Sequence, residues 1–230
     1  MHIGLIGGIG VAATVVYYQR LTQAIADLGA EPDLTIVHAH APTLVRNNLA
    51  DNREAQADIY CHLIDRLKAA GADCVAITSL GGHFCFEETA RRASLPLVSA
   101  VRPLDAYFQE QGYDTVGLLG TGVVMRTGLY GQLEHTRAAV LEDEIDSLGQ
   151  RYLDMALSGA CDAETRAVFL DAGARLMRDK GAQAVVLAGT DLNLAFGGQD
   201  VDFPVIDALD VHVALLARLA VGQVPLGEVV

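Results

Sequence analysis

The chain repeats itself at a period of roughly 110 residues, a spacing that signals two copies of one domain-sized unit rather than a solenoid of small repeats. Three pairs of segments carry the repeat. His2-Ile3-Gly4-Leu5-Ile6-Gly7 is echoed by Thr115-Val116-Gly117-Leu118-Leu119-Gly120; each is a short apolar strand ending in glycine and leading to a helix with Tyr and Leu (VVYYQRL and GLYGQL). Gly71-Ala72-Asp73-Cys74-Val75-Ala76-Ile77 is echoed by Gly181-Ala182-Gln183-Ala184-Val185-Val186-Leu187. Each follows an amphipathic helix and ends in a small polar cluster, Thr78-Ser79-Leu80 or Ala188-Gly189-Thr190. Leu95-Pro96-Leu97-Val98 is echoed by Phe203-Pro204-Val205-Ile206. Chance can give one such match; three in order at one spacing identify a duplicated α/β unit.

Strand–helix alternation predicts parallel sheets with helices on both faces. Further strands fit 35–39 and the stretch before Asp207. Helices fit 12–27, 54–70, 124–136, 144–157 and 163–179, with a closing helix over 211–221. The expected fold is α/β: two similar doubly wound, Rossmann- or flavodoxin-like halves related by pseudo-twofold symmetry. The first half takes 1–100 plus 208–230, the second 101–207. Ligands of open parallel sheets bind beyond the carboxyl ends of strands. A small-molecule site is therefore expected in the cleft between the halves, from residues 7–10, 38–42, 78–83, Thr121 and 190–191.

Composition narrows the partners. Of 230 residues, 51% are hydrophobic, and the mean hydropathy is +0.29. No apolar run reaches the roughly 20 residues of a membrane span. The opening MHIGLIGGIG lacks a basic n-region and reads as a first strand, not a signal peptide. A net charge of −13 argues against nucleic acid, which needs a basic stripe. Cys61, Cys74, Cys85 and Cys161 have neither C-x-x-C nor zinc-ligand spacing, and read as reduced thiols of a cytoplasmic protein.

Several motifs bear on chemistry. Gly8-x-Gly10-x-x-Ala13 satisfies the dinucleotide fingerprint, but the acidic residue wanted at the end of the second strand is absent; His38 and His40 stand there. A tight strand–helix turn is the better reading, and no nicotinamide cofactor is expected. His38 and His40 lie two apart and would share a face of a strand, with His83 as a third ligand. Without an acidic cluster, no metal is expected; one of the two contacts substrate and the other packs. His83, in the first helical turn after a strand, is the best acid/base candidate against a packed, hydrogen-bonded histidine. Asp191 could act as base, orient His83, bind an ammonium, or cap a helix. Thr121 and Thr190 carry hydroxyls at strand ends. Arg46 follows the second strand and could pair with a distal carboxylate, or lie solvated in a loop. The run Glu142-Asp143-Glu144 with Asp146 reads as a solvated helix start, and the tail with Pro225 and Gly227 as a fraying end.

At these residues the chain resembles the aspartate/glutamate racemase superfamily, most closely its aspartate racemase branch. Gly7-Gly8-Ile9-Gly10-Val11-Ala12-Ala13-Thr14 is similar to that branch's Gly-Gly-Met-Gly-Pro-x-Ala-Thr. Leu118-Leu119-Gly120-Thr121 followed by Thr127-Gly128-Leu129-Tyr130 resembles its second-half opening, and Gly189-Thr190-Asp191-Leu192 its Cys-Thr-Glu/Asp-Leu motif. His83 matches the close of Cys-Asn-Thr-x-His. The resemblance implies a cofactor-independent homodimer acting on a small acidic amino acid or dicarboxylate, with backbone N–H groups at Gly8 and Gly10 holding a carboxylate at the helix start. It also implies two thiols on opposite faces of the substrate α-carbon, one taking a proton and the other returning one. Those positions are Ser79 and Gly189 here, and Leu80 and Gly81 replace the Asn and Thr after the first. Serine is a poor base unless activated, and glycine has no side chain. Proton transfer by Ser79, His83 and Asp191 is the first expectation. A lyase or decarboxylase, and a non-catalytic carboxylate-binding protein, are its rivals.

Overall fold

A computed structural model describes residues 1–229. The chain divides into two compact units, one formed by 1–100 together with the segment from Asp210 onward, the other by Val101–Leu209. The first unit holds β1 (Ile3–Gly7), β2 (Leu34–His38), β3 (Cys74–Ile77) and β4 (Leu97–Val98), parallel in the order β2-β1-β3-β4. The second holds β5 (Thr115–Gly120), β6 (Arg137–Ala139), β7 (Ala184–Ala188) and β8 (Val205–Asp207), parallel in the order β6-β5-β7-β8. The order is the same in both, as duplication requires. β1, β3 and β7 are buried along their whole length, which is why they read as unbroken apolar runs rather than alternating ones.

The two units also share their packing solutions. A Cβ on Gly4 would stand 2.9 Å from Leu67 Cδ1 and 3.2 Å from Ala72 Cβ; a Cβ on Gly117 would stand 2.9 Å from Leu176 Cβ and 3.3 Å from Ala182 Cβ. The strand glycine lets a helix leucine lie against the sheet in each unit. The amides of Val75 and Val185 donate to the carbonyls of Pro96 and Pro204, both at 2.9 Å. Asp73 Oδ2 accepts from His2 N at 2.8 Å, while Gln183 Oε1 accepts from the amides of Asp114 and Thr115 at 2.7 and 2.9 Å.

The helices Val11–Asp27, Arg53–Ala69, Ile145–Ser158 and Ala163–Lys180 fall where the hydrophobic pattern placed them. The helix expected over 124–136 does not form at that length. It spans Gly122–Thr127, stops at Gly128 (φ 56°), and gives way to a short turn and β6. Helices Ala41–Leu49 and Arg102–Glu110, both with proline in the first turn, were not anticipated. The closing helix begins earlier than expected, at Ala208, and runs to Ala220. The tail makes a 3₁₀ turn over Leu226–Glu228 rather than fraying throughout. Glu144 is not merely solvated but pairs with Arg175, and Glu142 with Lys180. Among the described residues no helix is long and apolar enough to cross a membrane.

Asp105 pins the loop before β6. Its carboxylate accepts from the backbone amides of Glu134, His135 and Thr136, each at 3.0 Å. Burial opposes ionisation, but the hydrogen bonds from Thr136, Glu134 and His135 prevail and hold its pKa below the ordinary carboxylate value. Asp105→Ala is expected to destabilise the protein by about 3 kcal/mol, because three backbone donors, that of Thr136 buried, lose a charged acceptor. Urea unfolding of the variant at neutral pH measures it, and an unchanged midpoint would refute it.

Candidate active site

In a sheet of order 2-1-3, the crevice that takes ligands lies beyond the carboxyl ends of the first and third strands. That places the candidate residues of the first unit after β1 and β3, and those of the second after β5 and β7.

In the first unit, Gly8 has φ 88°, and a Cβ on it would run into the His38 ring and stand 2.9 Å from the Ala39 carbonyl. Backbone and space both demand glycine. The Gly8 amide is not open to a substrate carboxylate, contrary to expectation: it donates to Thr14 Oγ1 at 2.8 Å, and that hydroxyl donates to the Gly10 carbonyl at 2.8 Å. Gly10 is the N-cap of Val11–Asp27 and brings no side chain to its first-turn amides. His38 ends β2 and is exposed, lying over Gly8. His40 stands outside the strand as N-cap of Ala41–Leu49, its Nδ1 2.9 Å from Thr43 Oγ1. The two histidines therefore do not share one strand face. Among the described residues no three of His, Cys, Asp or Glu are grouped to hold a metal. Arg46 is exposed near the end of its helix and pairs with no carboxylate among the described residues.

Ser79 follows β3 and is 7% exposed. Its Oγ accepts from the Gly82 amide at 3.3 Å, and no base engages its hydroxyl among the described residues. His83 does not activate it. The Ala100 amide donates to His83 Nε2 at 3.0 Å, which leaves the ring proton on Nδ1, donated to the Ser79 carbonyl at 2.7 Å. The ring is 3% exposed and stacks on Phe86, and burial lowers its pKa to about 4. Both nitrogens are spent on backbone, so His83 is a structural tie rather than the acid/base group expected of it. It also offers Asp191 no nitrogen to orient. Nor do Cys85 and Cys74 supply a thiolate: burial pushes Cys85 up to about 12 and Cys74 up to about 11.

In the second unit, Thr121 caps Gly122–Thr127, its hydroxyl accepting from the Val124 amide at 3.3 Å. After β7 come Gly189, Thr190 and Asp191, all deeply buried. Gly189 has φ −143° and ψ 117°, which any residue adopts. Its lack of a side chain is dictated by space: a Cβ there would stand 2.7 Å from Tyr152 Cζ and 3.0 Å from the Tyr152 hydroxyl. Tyr152, from Ile145–Ser158, fills that volume and donates its hydroxyl to Asp191 Oδ2 at 3.2 Å. Both are 4% exposed. Burial first, and the Asp191 charge second, drive the phenol well above its ordinary pKa, so it stays neutral. Asn193 ties the end of β7 to the end of β8, its Nδ2 donating to Asp207 Oδ2 at 2.8 Å and to the Thr190 carbonyl at 3.1 Å. It occupies the repeat position of His83, which performs the same bracing with an imidazole.

The family model described as Asp/Glu/Hydantoin racemase matches residues 6–216. The chain belongs to the Asp/Glu/hydantoin racemase family. The fold agrees: an aspartate racemase homologue from Pyrococcus horikoshii OT3 superposes with a TM-score of 0.77 at 23% identity, over 96% of this chain and 99% of that one. An aspartate racemase of Picrophilus torridus gives 0.71 at 20%, over 96% and 95%. Glutamate racemase from Francisella tularensis, crystallised with D-glutamate, gives 0.70 at 15%, over 96% and 81%. Within this racemase family, the chain carries Ser79 and Gly189 at the ends of β3 and β7. Tyr152, Asn193 and Asp207 were missed in the sequence. Only the repeat could have flagged Asn193, as the counterpart of His83.

Proposed function

We propose that the protein is a cofactor-independent isomerase of the racemase type. It moves a proton at the carbon next to a carboxylate of a small acidic amino acid or dicarboxylate, without thiols. The observation that supports this is the family match, which spans both units and the strand ends of each. Asp191 is the proton acceptor: a carboxylate can take the α-proton, whereas Ser79 lacks a base and His83 has no free nitrogen. The C–H electron pair stays on the α-carbon, delocalised into the adjacent carboxylate, and the proton passes to an Asp191 oxygen. Ser79 in the first unit, and the hydroxyls of Thr121 and Thr190 in the second, are each proposed as donors to a carboxylate oxygen. The first-turn amides after Gly10 offer a carboxylate the positive end of a helix. His38, His40 and Arg46 are exposed and are proposed only as outer contacts. Water supplies the returning proton. Nothing in the family match favours a lyase. Assembly as a homodimer and a cytoplasmic location are also proposed, on the family resemblance.

Incubation with L- and D-aspartate and L- and D-glutamate in deuterated water, followed by proton NMR, tests the reading. Loss of the α-proton signal is expected for at least one of them. No exchange across the panel would refute the proposal.

A further inference from the structure

We infer that Tyr152 is the positioning residue of this site: its ring takes the volume beside Gly189, and its hydroxyl holds the Asp191 carboxylate in place as the proton acceptor. The inference rests on the proposed proton transfer and adds a residue to it.

Three observations carry it. First, residue 189 is glycine although its backbone would accept any side chain, and the tyrosine ring is what a Cβ would strike. The pair is thus a matched exchange of volume, with the side chain delivered from a helix instead of from the strand end. Second, the hydroxyl lies 3.2 Å from Asp191 Oδ2, in a pair buried on both sides. A buried carboxylate needs donors to remain charged, and a neutral phenol supplies one without adding a competing charge. Third, Asp191 lies in a short 3₁₀ turn, Thr190–Leu192, so its carboxylate is not fixed by a long helix. A tyrosine anchored in the fourteen-residue helix Ile145–Ser158 provides that rigidity. In the transfer itself Tyr152 keeps its own proton. The substrate C–H bond breaks, an O–H bond forms on Asp191, and that carboxyl proton then exchanges with water.

The test uses the full chain with Tyr152→Phe, which keeps the ring and removes only the hydroxyl, and with Asp191→Asn as second variant. The wild type is first assayed on aspartate and glutamate by deuterium exchange. Tyr152→Phe is expected to lower kcat at least tenfold with KM within threefold, and to move the acid limb of the pH profile upward, because the carboxylate loses a donor that favours its charged form. Its melting temperature should stay within a few degrees of wild type. Asp191→Asn is expected to lower the rate more than a hundredfold. Wild-type rate and pH profile in Tyr152→Phe would overturn this inference alone, as would a rate that falls with no shift of the acid limb. A wild type that exchanges nothing would overturn the proposed function and this inference with it.

Discussion

Between pH 7 and pH 4 the folded protein is expected to lose roughly 6 kcal/mol of stability through two buried histidines, His83 and His212. Burial lowers the first to about 4 and the second to about 3, both from an ordinary 6.5. Below pH 6.5 the unfolded chain takes up a proton on each ring, while the folded chain refuses until pH 4 and pH 3. The unfolded state binds more protons in that window, so stability rises with pH across it and is fully present above 6.5. His212 is wholly buried. Its Nδ1 is bonded by the Tyr17 hydroxyl, and its Nε2 has no partner among the described residues. Asp105 acts lower: its depressed pKa adds stability that is present above the ordinary 3.8 and lost as pH falls further. Urea titrations at successive pH values measure the loss. Replacing both partners, Tyr17→Phe with His212→Leu, should remove about half of the slope, since an apolar pair of similar shape leaves no orphan. Stability that stays flat from pH 7 to pH 4.5 would refute the account.

Placing a cysteine at residue 189 is expected to harm the protein rather than equip it. The Cβ of Gly189→Cys would stand 2.7 Å from Tyr152 Cζ in a buried site, and overpacking of this kind costs about 1–3 kcal/mol or more. Tyr152→Ala alone should cost about 3–5 kcal/mol through the cavity it leaves. The double variant should be less damaged than the two losses added, with a coupling of roughly 1–3 kcal/mol, because each change makes room for the other. A double-mutant cycle by urea unfolding reads this directly. Strict additivity would show that the ring and residue 189 do not share one volume.

The repeat made the architecture legible. It predicted two similar halves built on parallel sheets, because apolar strands ending in glycine and X-Pro segments before the edge strand are local signals that survive duplication. The strand β6 escaped notice, since Arg137–Ala139 is three residues long and only its last residue is buried. The roles of the candidate residues turn on partners that the sequence does not show. His83 has the residue type, turn position and neighbourhood of a proton carrier, yet whether its nitrogens are free depends on Ala100, beyond the next strand. Gly8 likewise has the look of an anion cradle until Thr14, a turn later, takes its amide. Gly189 read as a missing group because the ring that fills its space comes from a helix distant in sequence. In each case the deciding partner is tertiary, and residue spacing along one segment carries no record of it.

The closing helix has a consequence for the order in which the molecule can be completed. Residues 101–209 are one unbroken stretch, whereas the unit that begins at Met1 is completed only by the segment from Asp210 onward. Tyr17 meets His212, Arg20 pairs with Asp210, and the amino terminus of Met1 donates to the Ala220 carbonyl at 2.9 Å. During synthesis the later unit has all its parts while the earlier one still waits for its final helix. The half that starts first is finished last, and a chain cut short after β8 would carry a whole second unit beside an open first one.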